Sequence, residues 1–141
     1  MAQIFESNIV ESIPDRITDS QVLQLLNSEV MDKIHVQVLK NYIQLTDEIL
    51  SDWLNVSVKT FRNYKKSDTE LKENIKEQII LLISLFKHGK EIFGTTDHFM
   101  NWMRIDNPFL DNLKPIDYLN TITGIRFIND RLTAMEYGDN V

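Results

Sequence analysis

The strongest pattern in the chain is a run of apolar residues at helical spacing between Glu70 and Phe93. Extra apolar residues widen the stripe from Ile79 to Phe86, until little of the helix surface is polar. Such a helix must be covered on most sides, so it forms either a core spine or part of a dimer contact. Gly89, at a cost of about 1 kcal/mol relative to alanine, indicates a close approach by another element or a local break. The stripe consists of Leu71, Ile75, Ile79, Leu82, Phe86 and Phe93.

Two weaker helical patterns precede this spine. Residues 1–17 have no clear period and are interrupted by Pro14, which predicts a loosely held arm. Asp19 to Leu26 fits a short amphipathic helix, and Val30 to Lys40 fits a second helix in which valines lower the helix propensity. The predicted apolar faces are Val22, Leu25 and Leu26 in the first helix and Met31, Ile34 and Val38 in the second.

Residues 46–66 have the features of a helix-turn-helix. Ser51 is the small residue that two steeply crossing helices need at their closest approach, and Asn55 tolerates the left-handed geometry of the turn. Ser57 is a suitable N-cap for the second helix. Apolar residues at the positions that lock the two helices together are Leu50, Leu54, Val56, Phe61 and Tyr64.

The second helix of this motif is basic, although the chain as a whole is acidic. Arg62 and Asn63 have the chemistry for reading base edges, whereas Lys59, Lys65 and Lys66 suit phosphates. Because so few basic residues neutralise few phosphates, one copy would bind DNA weakly at physiological salt, and a homodimer is expected. The candidate DNA-binding residues are Ser57, Lys59, Arg62, Asn63 and Lys66.

Helix-starting and helix-ending residues divide the C-terminal third into short helices. Gly94 can end the spine helix with a positive φ, and Asp97 places negative charge at the start of the next helix. Pro115 suits a first helical position, and Thr123 is the expected N-cap of a last helix from Gly124 to Tyr137. No strand pattern appears, so the sequence predicts an all-α fold. The inward face of the last helix is Ile125, Ile128, Leu132 and Met135.

Composition limits the possible functions. A chain of 141 residues, 43% hydrophobic, can bury one core or two small ones, and without cysteine it has neither disulfides nor thiolate metal sites. No signal sequence or apolar run near about 18 residues appears, which predicts a soluble, cytoplasmic protein without a membrane partner. The net charge of -6 disfavours a simple nucleic-acid binder. No catalytic constellation, phosphate loop or metal-ligand spacing appears, so no catalytic residue, metal or cofactor is assigned and the chain is not expected to be an enzyme.

The C-terminal third also carries an ordered set of residues, namely Phe93-Gly94, Trp102-Met103, Asn107-Pro108, Leu110, Pro115 to Leu119, Thr121, Gly124 and Glu136-Tyr137-Gly138. In this order and at these separations they resemble the toxin-binding domain of the Xre, MbcA and ParS family of bacterial antitoxins. The helix-turn-helix ahead of it is similar to the Xre-like part of the same proteins. The chain departs from the family at the glycine after the loop leucine, replaced here by Asp111 and Asn112, and at the turn glycine, replaced by Asn55.

This resemblance implies an antitoxin of a type II toxin–antitoxin system, which binds and blocks a RES-type toxin that destroys NAD and represses its own operator through the helix-turn-helix. The sequence as a whole predicts a flexible arm (1–17), a helix-turn-helix domain (18–69), a connecting helix (70–94) and a small helical toxin-binding domain (95–141). Tyr137 would either face the toxin or finish the core. The toxin-facing candidates carried over are Asn107, Leu110, Asp111, Asn112, Arg131, Glu136, Tyr137 and Gly138, with the tail Asp139 to Val141.

Two other interpretations stay open at this point. The chain is a stand-alone helix-turn-helix transcriptional regulator whose C-terminal half is only a dimerisation or ligand domain, or it is a structural adaptor with a vestigial helix-turn-helix. A neighbouring gene for a RES-type toxin would separate the antitoxin from both. Salt-dependent promoter binding that is lost in Arg62→Ala would separate the regulator from the adaptor.

Overall fold

Helices make up most of the computed structural model, which describes residues 8–28, 31–68 and 70–138. No strand occurs in these ranges, so the predicted all-α fold is confirmed. None of the described helices is long and apolar enough to cross a bilayer. The helices are α1 (described over 8–12), α2 (Asp19–Ser28), α3 (Lys33–Ile43), α4 (Asp47–Trp53), α5 (Val58–Tyr64), α6 (Glu73–Phe93), α7 (Thr96–Met103) and α8 (Ile122–Glu136), with 3-10 turns at Pro108–Leu110 and Pro115–Tyr118.

The long helix α6 is the spine of the core. It packs against α2, α3, α7 and α8, and the side chains of Ile79, Leu82 and Leu85 are completely buried. The interpretation as a core spine is therefore confirmed. A methyl group on Gly89 would lie 2.4 Å from the ring of Phe99 in α7, so this glycine marks a close approach by another helix and not a break.

The helix α3 differs from its prediction in its start and in its buried face. It begins at Lys33, because the side chain of Asp32 accepts a hydrogen bond from the N–H of Ile34 and acts as the N-cap. Ile34, in the first turn, is 37% exposed, whereas Val38 is buried as predicted. The residues that α3 buries are His35, Val36, Val38, Leu39 and Ile43.

The last helix, α8, starts earlier than predicted. Oγ1 of Thr121 accepts a hydrogen bond of 2.9 Å from the N–H of Gly124, so Thr121 is the N-cap in place of Thr123. Gly124 lies inside the first turn, where a Cβ atom would come within 1.8 Å of the carbonyl oxygen of Tyr118. The predicted inward face is confirmed: Ile125, Ile128 and Leu132 are buried and Met135 is half-buried.

The N-terminal segment, in its described part 8–17, differs from the predicted loosely held arm. Nζ of Lys87 donates hydrogen bonds to the carbonyl oxygens of Val10 (2.8 Å) and Ile13 (2.6 Å). Oγ of Ser84 donates to the carbonyl oxygen of Pro14 (2.7 Å), and the side chain of Ile13 is 2% exposed. Sequence periodicity could not show this packing, because α6 supplies the partners from about 70 residues away.

Candidate functional site

The helix-turn-helix consists of α4, α5 and the turn between them, and its local features are the predicted ones. Asn55 has a φ of 57°, in the left-handed region. Oγ of Ser57 accepts a hydrogen bond of 3.0 Å from the N–H of Thr60 and caps α5. Ser51 is buried, and its carbonyl oxygen accepts a hydrogen bond of 3.0 Å from the N–H of Val56 across the turn. Leu50, Leu54 and Phe61 are buried, and Val56 and Tyr64 pack partly against them.

The carboxylate of Asp47 gathers three basic side chains at the start of α4. Nζ of Lys65 lies 2.8 Å from Oδ1, Nε of Arg62 lies 3.1 Å from Oδ2, and Nζ of Lys40 lies 3.2 Å from Oδ1. These hydrogen bonds, that of Lys65 first, hold the pKa of the Asp47 carboxyl well below its usual range, although desolvation by burial acts in the opposite direction. Asp47 is thus ionised and fixes α5 to α4.

Two of the basic side chains predicted to face DNA, Arg62 and Lys65, are therefore already paired with Asp47. Arg62 also places Nη2 at 3.3 Å from Oε1 of Glu48, and its side chain is 52% exposed. Ser57, another candidate, serves as a helix cap. The candidates Lys59 and Asn63 are exposed on α5, and Lys66 is exposed in the turn that follows it. This leaves a smaller basic surface than the sequence indicates.

The loop from Asn107 to Leu113 is built by two buried candidates. Oδ1 of Asn107 accepts a hydrogen bond of 2.9 Å from the N–H of Phe109, and its own N–H donates to the carbonyl oxygen of Leu113 at 3.0 Å. Asn107 is 6% exposed and Leu110 is 2% exposed. These two residues shape the loop and offer little surface to a partner.

Asp111 and Asn112 form the exposed tip of this loop. Their φ angles are 55° and 59°, in the left-handed region that aspartate and asparagine tolerate better than most residues. Asp111 and Asn112 thus adopt at this turn a backbone conformation that glycine takes most easily. Both side chains stay accessible to a partner.

Sequence reasoning missed three exposed apolar side chains in this loop and just before it. Ile105 is 64% exposed, Phe109 is 55% exposed and Leu113 is 49% exposed, and we call these three residues the loop patch. Exposed apolar groups of this kind mark protein interaction sites when they cluster. The sequence offered one sign of this exposure: these apolar residues stand among aspartate, asparagine and proline, in a segment that is too polar to be part of the core.

The end of α8 combines exposed and anchored candidates. Tyr137 is 76% exposed, so it does not finish the core, and Gly138 follows with a φ of 85°. Glu136 contacts Nε2 of His88 through Oε1, and its Oε2 lies 3.6 Å from Nη1 of Arg16. Arg131 is half-buried, and the tail 139–141 lies outside the described residues.

Metal-ligating side chains do not cluster among the residues that the structure describes. No group of three or more histidine, cysteine, aspartate or glutamate side chains is placed to hold a metal ion there. The helix-turn-helix contacts the C-terminal part of the chain: Nδ2 of Asn55 donates a hydrogen bond of 2.7 Å to the carbonyl oxygen of Asn120. This hydrogen bond ties the turn of the helix-turn-helix to the segment just before α8.

Comparisons with known proteins agree with this picture. Residues 88–138 match the family model described as the antitoxin Xre/MbcA/ParS C-terminal toxin-binding domain. A chain in the crystal structure of the M. tuberculosis MbcT–MbcA toxin–antitoxin complex superimposes with a TM-score of 0.61 at 20% sequence identity, over 77% of this chain and 96% of that one. No curated protein matches by sequence. The resemblance stated from the sequence is confirmed, and the family match begins within α6.

Proposed function

We propose that this chain, which carries the toxin-binding domain of the Xre/MbcA/ParS antitoxins in residues 88–138, is the antitoxin of a type II system and blocks a RES-type, NAD-degrading toxin. The observation that carries the proposal is the position of the exposed groups. The loop patch and Tyr137 both lie within the family match and have no role in the core.

The mechanism is obstruction of the toxin's active cleft. A cleft that binds a negatively charged dinucleotide presents arginine and lysine side chains, which can also donate hydrogen bonds to carboxylates. Asp111 at the loop tip supplies such a group, and the tail beyond Gly138 carries another. The loop patch and Tyr137 add apolar area that leaves water on binding, and aromatic anchors often dominate such contacts.

Operator binding by the helix-turn-helix is the second part of the proposal. Lys59 and Asn63 are exposed on α5, as a major-groove contact requires, and Lys66 is exposed directly after the helix. Because Arg62 and Lys65 are held by Asp47, a single copy has few free charges for phosphate, and a homodimer would be needed for stable binding. In this arrangement residues 18–69 form the DNA-binding domain, 70–94 the connecting helix and 95–141 the toxin-binding domain, all in the cytoplasm where NAD and the operator are found.

The proposal is tested by co-expression with the RES-type toxin encoded at the same locus. Phe109→Asp places a charge in the loop patch and should release toxicity and prevent co-purification. Leu23→Asp is the matched control, because Leu23 is 57% exposed on α2, nearly the same as Phe109 at 55%, and lies outside the family match. Protection by both variants, or loss of protection by both, would contradict the proposed surface.

A stand-alone regulator is the alternative, and the exposed basic side chains of α5 are the observation in its favour. It predicts promoter binding by the chain together with indifference to every toxin of the locus. The antitoxin predicts a stable complex with one such toxin, whether or not the promoter is bound.

A further inference from the structure

The side chain of Glu136 joins the end of α8 to the rest of the protein. Oε1 contacts Nε2 of His88, which is completely buried in α6, and Oε2 lies 3.6 Å from Nη1 of Arg16 in the N-terminal arm. Leu132 is the last buried apolar residue of α8, and Met135 in the final turn is only half-buried. Polar contacts therefore do most to fix the final turn.

His88 is held from its other side as well. Nδ1 contacts Oδ1 of Asn129 in α8, and Nδ2 of Asn129 donates to the carbonyl oxygen of Asp15 at 3.4 Å. The arm thus reaches the end of α8 twice, directly through Arg16 and indirectly through Asp15, Asn129 and His88.

The carboxyl of Glu91 adds a third connection between the arm and α6. A hydrogen bond between the side chains of Asp15 and Glu91 lowers the pKa of Asp15 and raises the pKa of Glu91. Together with the hydrogen bonds of Ser84 and Lys87, it attaches the arm to α6 on both sides of His88.

We propose that Arg16 is a positioning residue for the partner-binding end of α8, and that the arm is a functional part of the toxin-binding unit. This inference rests on the proposed function, in which Tyr137 contacts the toxin and its orientation therefore affects binding. With Glu136 held, the final turn continues to Tyr137, whose N–H donates to the carbonyl oxygens of Thr133 and Ala134. Gly138 then redirects the chain. Without Arg16 the final turn frays. The apparent Kd for the toxin then equals the intrinsic Kd divided by the fraction of molecules in which the final turn is formed and Tyr137 is correctly placed.

Amide hydrogen exchange of the full-length chain, measured by NMR without any partner, tests the first half of the proposal. Arg16→Ala should speed exchange at residues 136–138 by about threefold or more, as expected when a closed turn opens more often. Arg16→Lys should restore part of the protection, because an ammonium group can reach the same carboxylate. Arg126→Ala is the matched control, since it removes another ion pair of α8, to Asp19 at 2.7 Å, near the opposite end of the helix.

The second half is tested by the dissociation rate from the RES-type toxin of the same locus. Arg16→Ala should raise it about threefold, with an unchanged thermal midpoint, whereas Arg126→Ala should not. Equal exchange rates in the unsubstituted chain and Arg16→Ala would overturn the proposal without reference to any toxin. Faster exchange with unchanged toxin dissociation would also overturn it. If the unsubstituted chain binds no toxin, the proposed function itself fails, which the exchange data keep separate.

Discussion

Replacing Gly89 with alanine produces two opposing effects on the free energy of unfolding. Alanine favours a helix interior over glycine by about 1 kcal/mol. However, the added methyl group would lie 2.4 Å from two ring carbons of Phe99, about 1 Å closer than ordinary contact, and Phe99 is completely buried. The ring cannot easily withdraw, because it packs edge-on against Phe86 at 5.2 Å and lies 5.8 Å from Phe93 and 6.2 Å from Trp102. Overpacking of this kind costs about 1–3 kcal/mol.

The net expectation for Gly89→Ala is therefore a loss of up to about 2 kcal/mol in the free energy of unfolding. Urea unfolding followed by tryptophan fluorescence measures it directly. The control is the same substitution in a Phe99→Leu background, where the smaller side chain leaves room and Gly89→Ala should become neutral or stabilising. Stabilisation of the unsubstituted chain by alanine at this position would refute the packing of α7 against α6.

Three further predictions concern the helix-turn-helix. The pKa of Asp47 is lower in the folded protein than its usual value of 3.8. The ionised carboxylate therefore stabilises the fold above pH 3.8, and this stabilisation is lost as the pH falls through the folded-state pKa. Asp47→Asn should cost about 1–3 kcal/mol at pH 7 and flatten this acid dependence in denaturant titrations. Glu48→Gln removes one of the two carboxylates that hold Arg62 and should tighten promoter binding about two- to fivefold by fluorescence anisotropy. The gain should exceed that of Asp52→Asn, which changes the net charge equally, and equal effects would contradict competition for Arg62. Asn55→Ala should destabilise by about 1–2 kcal/mol in thermal unfolding, whereas Asn55→Gly should stay within about 1 kcal/mol, because only the alanine is strained at this φ; the reverse order would contradict the turn geometry.

Features set by local chemistry could be predicted from the sequence. The cap at Ser57, the left-handed turn at Asn55 and the positive φ of Gly94 depend on side chains within a few residues. The apolar stripe of α6 identified the spine because its period persists over several turns. Local signals failed where two neighbouring candidates compete, as with the caps Thr121 and Thr123.

The candidate site was harder to predict because much of it depends on long-range contacts. Pairing of Arg62 with Asp47 joins residues 15 apart and follows only from the crossing of two helices. Burial of Asn107 and exposure of Phe109 depend on how an aperiodic loop closes, and no sequence period reports that. Glu136 contacts His88, which lies 48 positions away in the sequence. The resemblance to the antitoxin family predicted only a partner contact for Glu136, because so distant an internal contact leaves no local signal.

The most direct test of obstruction is NAD consumption by the RES-type toxin of the same locus in the presence of the purified chain. The unsubstituted chain and the Leu23→Asp variant should stop NAD loss once they saturate the toxin, whereas Phe109→Asp should leave it running at the same concentration. NAD consumption that continues unchanged with a saturating amount of the unsubstituted chain would contradict the account.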